Sequence, residues 1–166
     1  MLVRHPKTVY LVDGKPHPGG WGVQSYYSGL KKQASALGLI QSGAVFFNTE
    51  FSDYGALLTK LEASVIYVNP YIDSTQSVSG TVAMALAAGA AVVSTPYPYA
   101  LEVLKGGVGV LVPFRDSRAL AKAICGLLSD PARVAQKNIR AAAYAAGVTW
   151  KHVAKAHLDI AGALRS

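Results

Sequence analysis

Ser79, Gly80 and Thr81 stand where ordinary residue types can do chemistry without a special side chain. A polar, turn-rich stretch (residues 71–79) follows an apolar strand and runs there into a small-residue helix over 80–88. The first amides of a helix have no upstream carbonyl to accept from them, and the positive end of the helix dipole lies beside them. A glycine lets a ligand come close to the backbone, and the two flanking hydroxyls add donors, a combination that suits an anion. The same residues also make an ordinary N-cap on a close-packed helix, and the physics alone leaves both readings open.

Other candidates carry less. Asp73 and Gln76, in the same loop, offer a carboxylate and an amide to hydroxyl groups. His17 lies in the Gly/Pro-rich loop 14–22, where a lone histidine is more often simply exposed. Tyr97 and Tyr99, among prolines, either line a pocket or pack their loop, and Glu102 is either a ligand to hydroxyls or a partner of its helix dipole. His152 and His157 are five apart and do not share a helix face, and no Cys/His cluster has the spacing of a metal site. Neither a G-x-S-x-G nor a P-loop pattern occurs. The one cysteine, Cys125, excludes an internal disulfide, fits the reducing cytoplasm, and is expected as a small core residue on a helix.

The elements that must position these residues alternate between β-branched runs and helical stretches. Strands are expected over 8–12, 44–47, 65–68, 91–94 and 109–112. Helices are expected over 24–37, from a Ser52 cap to 63, over 80–88, near 100–105, and from about Ser117, Pro131 and Thr149 onward. Strand–helix alternation means parallel strands joined by crossovers, a doubly wound (Rossmann-like) α/β sheet. The strands are apolar without clean alternation, as strands covered on both faces are. Ligands of such sheets bind at the carboxyl ends of the strands, which directs attention to loops 13–22, 48–51, 69–80, 95–99 and 113–116.

Composition sets the outer limits. The 166 residues suffice for one domain with a core. Hydrophobic residues are 51% and charged residues 15%, with a mean hydropathy of +0.27, which excludes a disordered chain and a coiled coil. No apolar run reaches the roughly 18 residues a spanning helix needs, and residues 1–7 have no signal-peptide core. The net charge of +7 is concentrated late: from Arg115 onward nine Lys/Arg oppose three acids. These bases are scattered and lack interleaved aromatics, which argues for solvated helix faces and against nucleic acid.

As an ordered set, several stretches resemble the C-terminal, donor-binding domain of family-4-like GT-B glycosyltransferases. They are YLVDGKPHPG (10–19), ALGL (36–39), LEASVIYVNPY (61–71), the SGT turn with its alanine-rich helix, GAAVVSTPY (89–97), GVGVLVPFRDSRALAKAI (107–124) and VTW (148–150). The similarity covers roughly residues 8–165. It implies a hexosyltransferase-type enzyme that transfers sugar from a nucleotide-sugar donor with retention, without a metal or other cofactor, in the cytoplasm. By the same resemblance Ser79, Gly80 and Thr81 would bind the donor diphosphate, Asn48 to Phe51 would lie near the base, and Gln76, Asp73 and His17 would lie within reach of the donor.

The departures from the family pattern are equally specific. Two glutamates eight positions apart, one towards the sugar and one towards the ribose, are replaced by Gln76 and Met84. Gln76 can still hydrogen-bond hydroxyls, Met84 cannot bind a ribose through a carboxylate, and Asp73 is a candidate substitute for the first acid. The family's basic pair lies upstream of the first strand, and Arg4 and Lys7 do not match it. The chain is therefore expected as a single domain, 1–166, lacking its first strand–helix unit and the N-terminal acceptor domain, inactive when isolated. A partner chain or acceptor domain would complete it, and the uncovered first strand would favour a homo-oligomer. The alternative is a non-catalytic module that binds a nucleotide or nucleotide-sugar.

Overall fold

The computed structural model describes residues 4–14 and 23–164. They fall into two compact units, the first ending at Leu57 and the second beginning at Leu58.

In the first unit, β1 (Tyr10–Asp13) pairs in parallel with β2 (Val45–Asn48), Tyr10 opposite Val45 and Asp13 opposite Asn48. Their connection contains α1 (Val23–Ala36). The helix is anchored by Tyr27, whose ring meets Phe47 of β2 edge-on at 5.7 Å, and Lys31 places its ammonium 4.9 Å from the Tyr27 ring centre. Such aromatic and cation–π contacts fix the face a helix presents as well as burying area. Tyr10, Leu11 and Phe46 remain exposed. The helix α2 (Tyr54–Glu62) contains the boundary between the units. Its cap is Asp53, whose Oδ1 accepts from the Ala56 amide at 2.8 Å. The expected cap, Ser52, instead hydrogen-bonds Asp13 Oδ2, because a free carboxylate one residue nearer the helix is the better acceptor for its first amides.

In the second unit, β3 (Ile66–Asn69), β4 (Ala91–Ser94) and β5 (Val110–Leu111) form a parallel ladder in the order β3-β4-β5. Every residue of β4 is buried, which is why its sequence, AVVS, shows no polar alternation. The crossover helix α3 (Gly80–Ala87) ends in a Schellman turn: Gly89 at φ +71° lets the Ala90 amide reach the Ala85 carbonyl at 2.9 Å and its own amide reach Leu86 at 3.0 Å. After α4 (Pro98–Val103) and a 3-10 turn (Lys105–Gly107) come α5 (Ser117–Leu128), α6 (Pro131–Gly147) and α7 (Trp150–Ala163). Ala91, Val93, Val112, Leu127 and Val134 form a core in which β4 and β5 meet α5 and α6.

Two helix starts follow the sequence closely. Asp116 caps α5 through the Ala119 amide at 2.8 Å, and Asp130 caps α6 through the Arg133 amide at 2.9 Å, with Pro131 in the first turn. Thr149 stands at the cap position of α7 without a side-chain cap bond, because its hydroxyl pairs with His152 Nδ1 at 2.8 Å. Among the described residues the bases of the last third are exposed, as expected, with one exception: Lys137 is buried. Cys125 is half-buried on α5. Among the described residues no helix is long and apolar enough to cross a membrane.

Candidate functional site

The carboxyl end of β3 and the amino end of α3 are joined by residues 70–79, and the helix begins at an open corner. Ser79 is in extended conformation (φ −147°, ψ 103°) and accepts the Val82 amide on its side-chain oxygen at 3.3 Å. That takes up one first-turn amide and leaves those of Gly80 and Thr81 beyond the reach of any intrahelical carbonyl. Gly80 is exposed, and a Cβ placed on it would meet nothing within 4 Å. Thr81 is half-buried, with Oγ1 3.3 Å from Ser79 Oγ.

Ser79 itself is only 5% exposed, so its hydroxyl is turned inward and committed to the cap. Beneath it lies a polar cluster that the sequence did not single out. Tyr97, just after β4, is fully buried, which settles in favour of packing the choice between packing its loop and lining a pocket. Its hydroxyl donates to Asn69 Oδ1 at 3.2 Å, and its ring lies 5.2 Å from that of Tyr71. Ser94 Oγ donates to the Asn69 carbonyl at 3.0 Å, and Thr95 Oγ1 to the Tyr71 carbonyl at 2.6 Å. Burial pushes the Tyr97 phenol above its ordinary value, with the hydroxyls of Ser79 and Ser94 acting in the opposite direction. A sequence signal for the cluster existed: β3 and β4 are neighbours in register, Asn69 opposite Ser94, so polar residues at both strand ends must meet.

The other loop candidates are engaged locally. Asp73 Oδ1 accepts from the Thr75 hydroxyl at 2.7 Å and from the Thr75 amide at 2.8 Å, which holds the exposed carboxyl below its ordinary range. This is an Asx turn, and it shapes the loop before α3. Gln76 Nε2 donates to the Val78 carbonyl at 2.8 Å, again within the loop. Met84 is half-buried one turn into α3. Glu102 is exposed on α4, past its first turn, and Tyr99 is half-buried.

In the first unit Asn48 closes β2. Its amide nitrogen hydrogen-bonds Asp13 Oδ1 and its Oδ1 accepts from the Glu50 amide at 3.2 Å, which ties the carboxyl ends of β1 and β2 together. His17 lies outside the described residues. Among the described residues no group of three or more His, Cys, Asp or Glu side chains is placed to hold a metal ion.

The fold that carries this corner is that of glycosyltransferase C-terminal domains. Its solved likenesses include the C-terminal domain of the glycosyl transferase group 1 family protein LpcC from Francisella tularensis, 19% identical, with a TM-score of 0.74 over 86% of this chain and 70% of that one. Anabaena Alr3699/HepE, solved in complex with UDP, is 24% identical with a TM-score of 0.79 over 96% of this chain. The sucrose-phosphate synthase of Thermosynechococcus elongatus is 22% identical with a TM-score of 0.74 over 93%. The chain spans 41% of the HepE chain and 38% of the synthase. No match was found among curated proteins. The sequence profile described as "Glycosyl transferases group 1" matches residues 21–130, and the chain belongs to that family.

Proposed function

We propose that this chain is the donor-binding half of a retaining glycosyltransferase, and that it takes the diphosphate of a nucleotide-sugar at the amino end of α3. The observation that carries the reading is the corner at Gly80, where the first amides of α3 have no helical partners and a Cβ on Gly80 would meet nothing within 4 Å. Membership of the family and a neighbour solved with UDP support the same ligand class. The amides of Gly80 and Thr81 and the Thr81 hydroxyl are the donors, and Ser79 acts through the cap. When the glycosidic bond to the donor breaks, negative charge builds on the leaving diphosphate, and preoriented amides stabilise it in place of a cation. Sugar transfer then requires an acceptor-binding domain that completes the cleft, in a cytoplasmic enzyme.

A second reading, a binding module without transfer, is favoured by Met84. Its thioether stands where the resemblance would place a carboxylate for the ribose, and it offers no comparable acceptor.

Titration of the 166-residue chain with UDP, followed by calorimetry, tests the site. Saturable binding is expected, and Gly80→Ala should weaken it about tenfold, close to 1.4 kcal/mol, by placing a methyl in the approach to the amides. Because that methyl meets nothing and alanine favours helix, thermal stability should be unchanged or slightly higher. Absence of binding at millimolar UDP, or full affinity in Gly80→Ala, overturns the assignment.

A further inference from the structure

We infer that the outer edge of β1 is a self-recognition surface, on which a second copy of this chain adds its own β1 as an antiparallel strand centred on Tyr10. This goes beyond the function proposed above and does not depend on it.

The free edge follows from the ladder that is present. The amides of Tyr10 and Gly14 donate to the carbonyls of Ala44 and Asn48, and Val12 stands between them opposite Phe47. In a parallel pair, alternate residues of a strand turn their N–H and C=O groups to the neighbour. Tyr10, Val12 and Gly14 are that set, so the backbone groups of Leu11 and Asp13, and by continuation Val9, point the other way. Among the described residues no strand pairs along that side. The side chains there are uncovered as well. Tyr27 of α1 meets Phe47 on the face shared with Val12, whereas Val9 is 60% exposed, Leu11 43%, and Phe46, opposite Leu11, 53%. The strand's sequence, YLVD, has no Pro or Lys to blunt the edge.

Charge and parity select the occupant. When an edge strand pairs with its own copy across a two-fold axis, residues with outward backbone groups must face one another. The registers that do this near the middle of the strand differ in their side-chain pairs. Centred on Leu11, Asp13 falls opposite the apolar Val9 of the second copy. Centred on Val9, Leu11 falls opposite Lys7. Centred on Tyr10, Val9 faces Leu11 and exchanges both N–H···O=C bonds with it, and Asp13 falls opposite Lys7 at either end. This register joins apolar to apolar and anion to cation, the pairs that stabilise antiparallel neighbours. Lys7 is exposed in the turn just before the strand, and the Asn48 and Ser52 groups that bond Asp13 are neutral and leave its charge in place. The outer edge of β2 offers no such match, since residues 41–50 contain Glu50 and no base.

Sedimentation of the 166-residue chain at rising micromolar concentrations should show a monomer–dimer equilibrium, weak because one strand edge covers less than a standard interface. Leu11→Pro deletes an outward N–H and none that serves β2, so it should leave a monomer with the wild-type circular dichroism. Lys7→Glu, which leaves the strand itself untouched, should weaken the dimer about tenfold. Phe46→Ser removes an exposed ring away from the edge and should leave the dimer near wild type. Tyr10→Cys, made in a Cys125→Ser chain, should form an intermolecular disulfide on mild oxidation, because opposed non-hydrogen-bonded residues bring their Cα atoms within disulfide range. Leu11→Cys should not. A wild-type monomer throughout, full association in Lys7→Glu or Leu11→Pro, loss of the dimer in Phe46→Ser, or a crosslink through Leu11→Cys in place of Tyr10→Cys overturns the inference. Each of these results leaves the diphosphate site standing.

Discussion

The ammonium of Lys137, on α6, lies 2.8 Å from the carbonyl oxygen of Gly107, thirty residues earlier in the chain. The same nitrogen donates to the Gly109 carbonyl at 2.9 Å, and Arg140 one turn on donates to Gly106 at 3.0 Å. Helix α6 thus holds the glycine turn that feeds β5. The turn matches this grip: Gly107 sits at φ +82°, and a Cβ there would collide with the Arg140 guanidinium.

Lys137→Met keeps most of the buried stem and removes the donor from two carbonyls. The expected loss is about 1–3 kcal/mol, the cost of leaving part-buried acceptors without partners. Urea unfolding should show a lower midpoint at an unchanged slope. A midpoint equal to wild type would mean that the carbonyls find other donors and that the grip contributes nothing.

The same lysine gives stability a pH dependence of known sign. Burial, with Arg133 and Arg140 adding, holds its ammonium below the ordinary value of 10.5. Between the folded value and 10.5 the unfolded chain binds more protons than the folded one, so this group's contribution to stability rises with pH. The stability difference between wild type and Lys137→Met should widen in favour of wild type as pH climbs towards 10.5. A difference that shrinks over that range contradicts the assignment.

Three tyrosines act in the opposite direction. Burial is the first cause in each case: it raises Tyr97, Tyr99 and Tyr144, with the charge of Glu102 adding for the last two and that of Tyr144 for Tyr99. A folded value above the unfolded 10.0 stabilises the protein below pH 10.0, and that contribution is lost as pH rises through the folded values. Phenolate absorbance should therefore show these three tyrosines ionising late, together with alkaline unfolding. All three titrating near pH 10.0 with the fold intact would contradict the burial of this group.

What the sequence showed and what it hid follow a physical division. Asp116, Asp130 and Gly89 act on amides and carbonyls a few residues away, and local chemistry of that kind can be found from spacing alone. The order of parallel strands and helices was readable for the same reason, since each strand announced itself by β-branched residues. Ser52 failed as a cap because Asp53, one residue nearer the helix, takes the Ala56 amide, while the Ser52 hydroxyl goes to Asp13, 39 residues away. Lys137 was indistinguishable from its solvated neighbours, because its burial depends on a glycine turn thirty residues upstream. Tyr97 could be placed in a loop but not in a network, since Asn69 reaches it only through the β3–β4 register.

Ser79 and Thr81, two positions apart, should separate folding from binding. Ser79→Ala deletes the acceptor for the Val82 amide and should cost about 0.5–2 kcal/mol of stability, as lost N-caps do. It should also weaken UDP, because the amides of the turn lose their fixed direction. Thr81→Ala leaves the cap in place, and the change in stability should stay within about 0.5 kcal/mol. Its effect should fall on UDP affinity alone, by about 1–3 kcal/mol if the hydroxyl bonds a charged oxygen. The informative result is the pairing of the two measurements. Loss of affinity in both variants with loss of stability in Ser79→Ala only is the pattern of a capped turn that presents its amides and one hydroxyl outward. Full affinity in both would leave the corner as a helix cap with no ligand to hold.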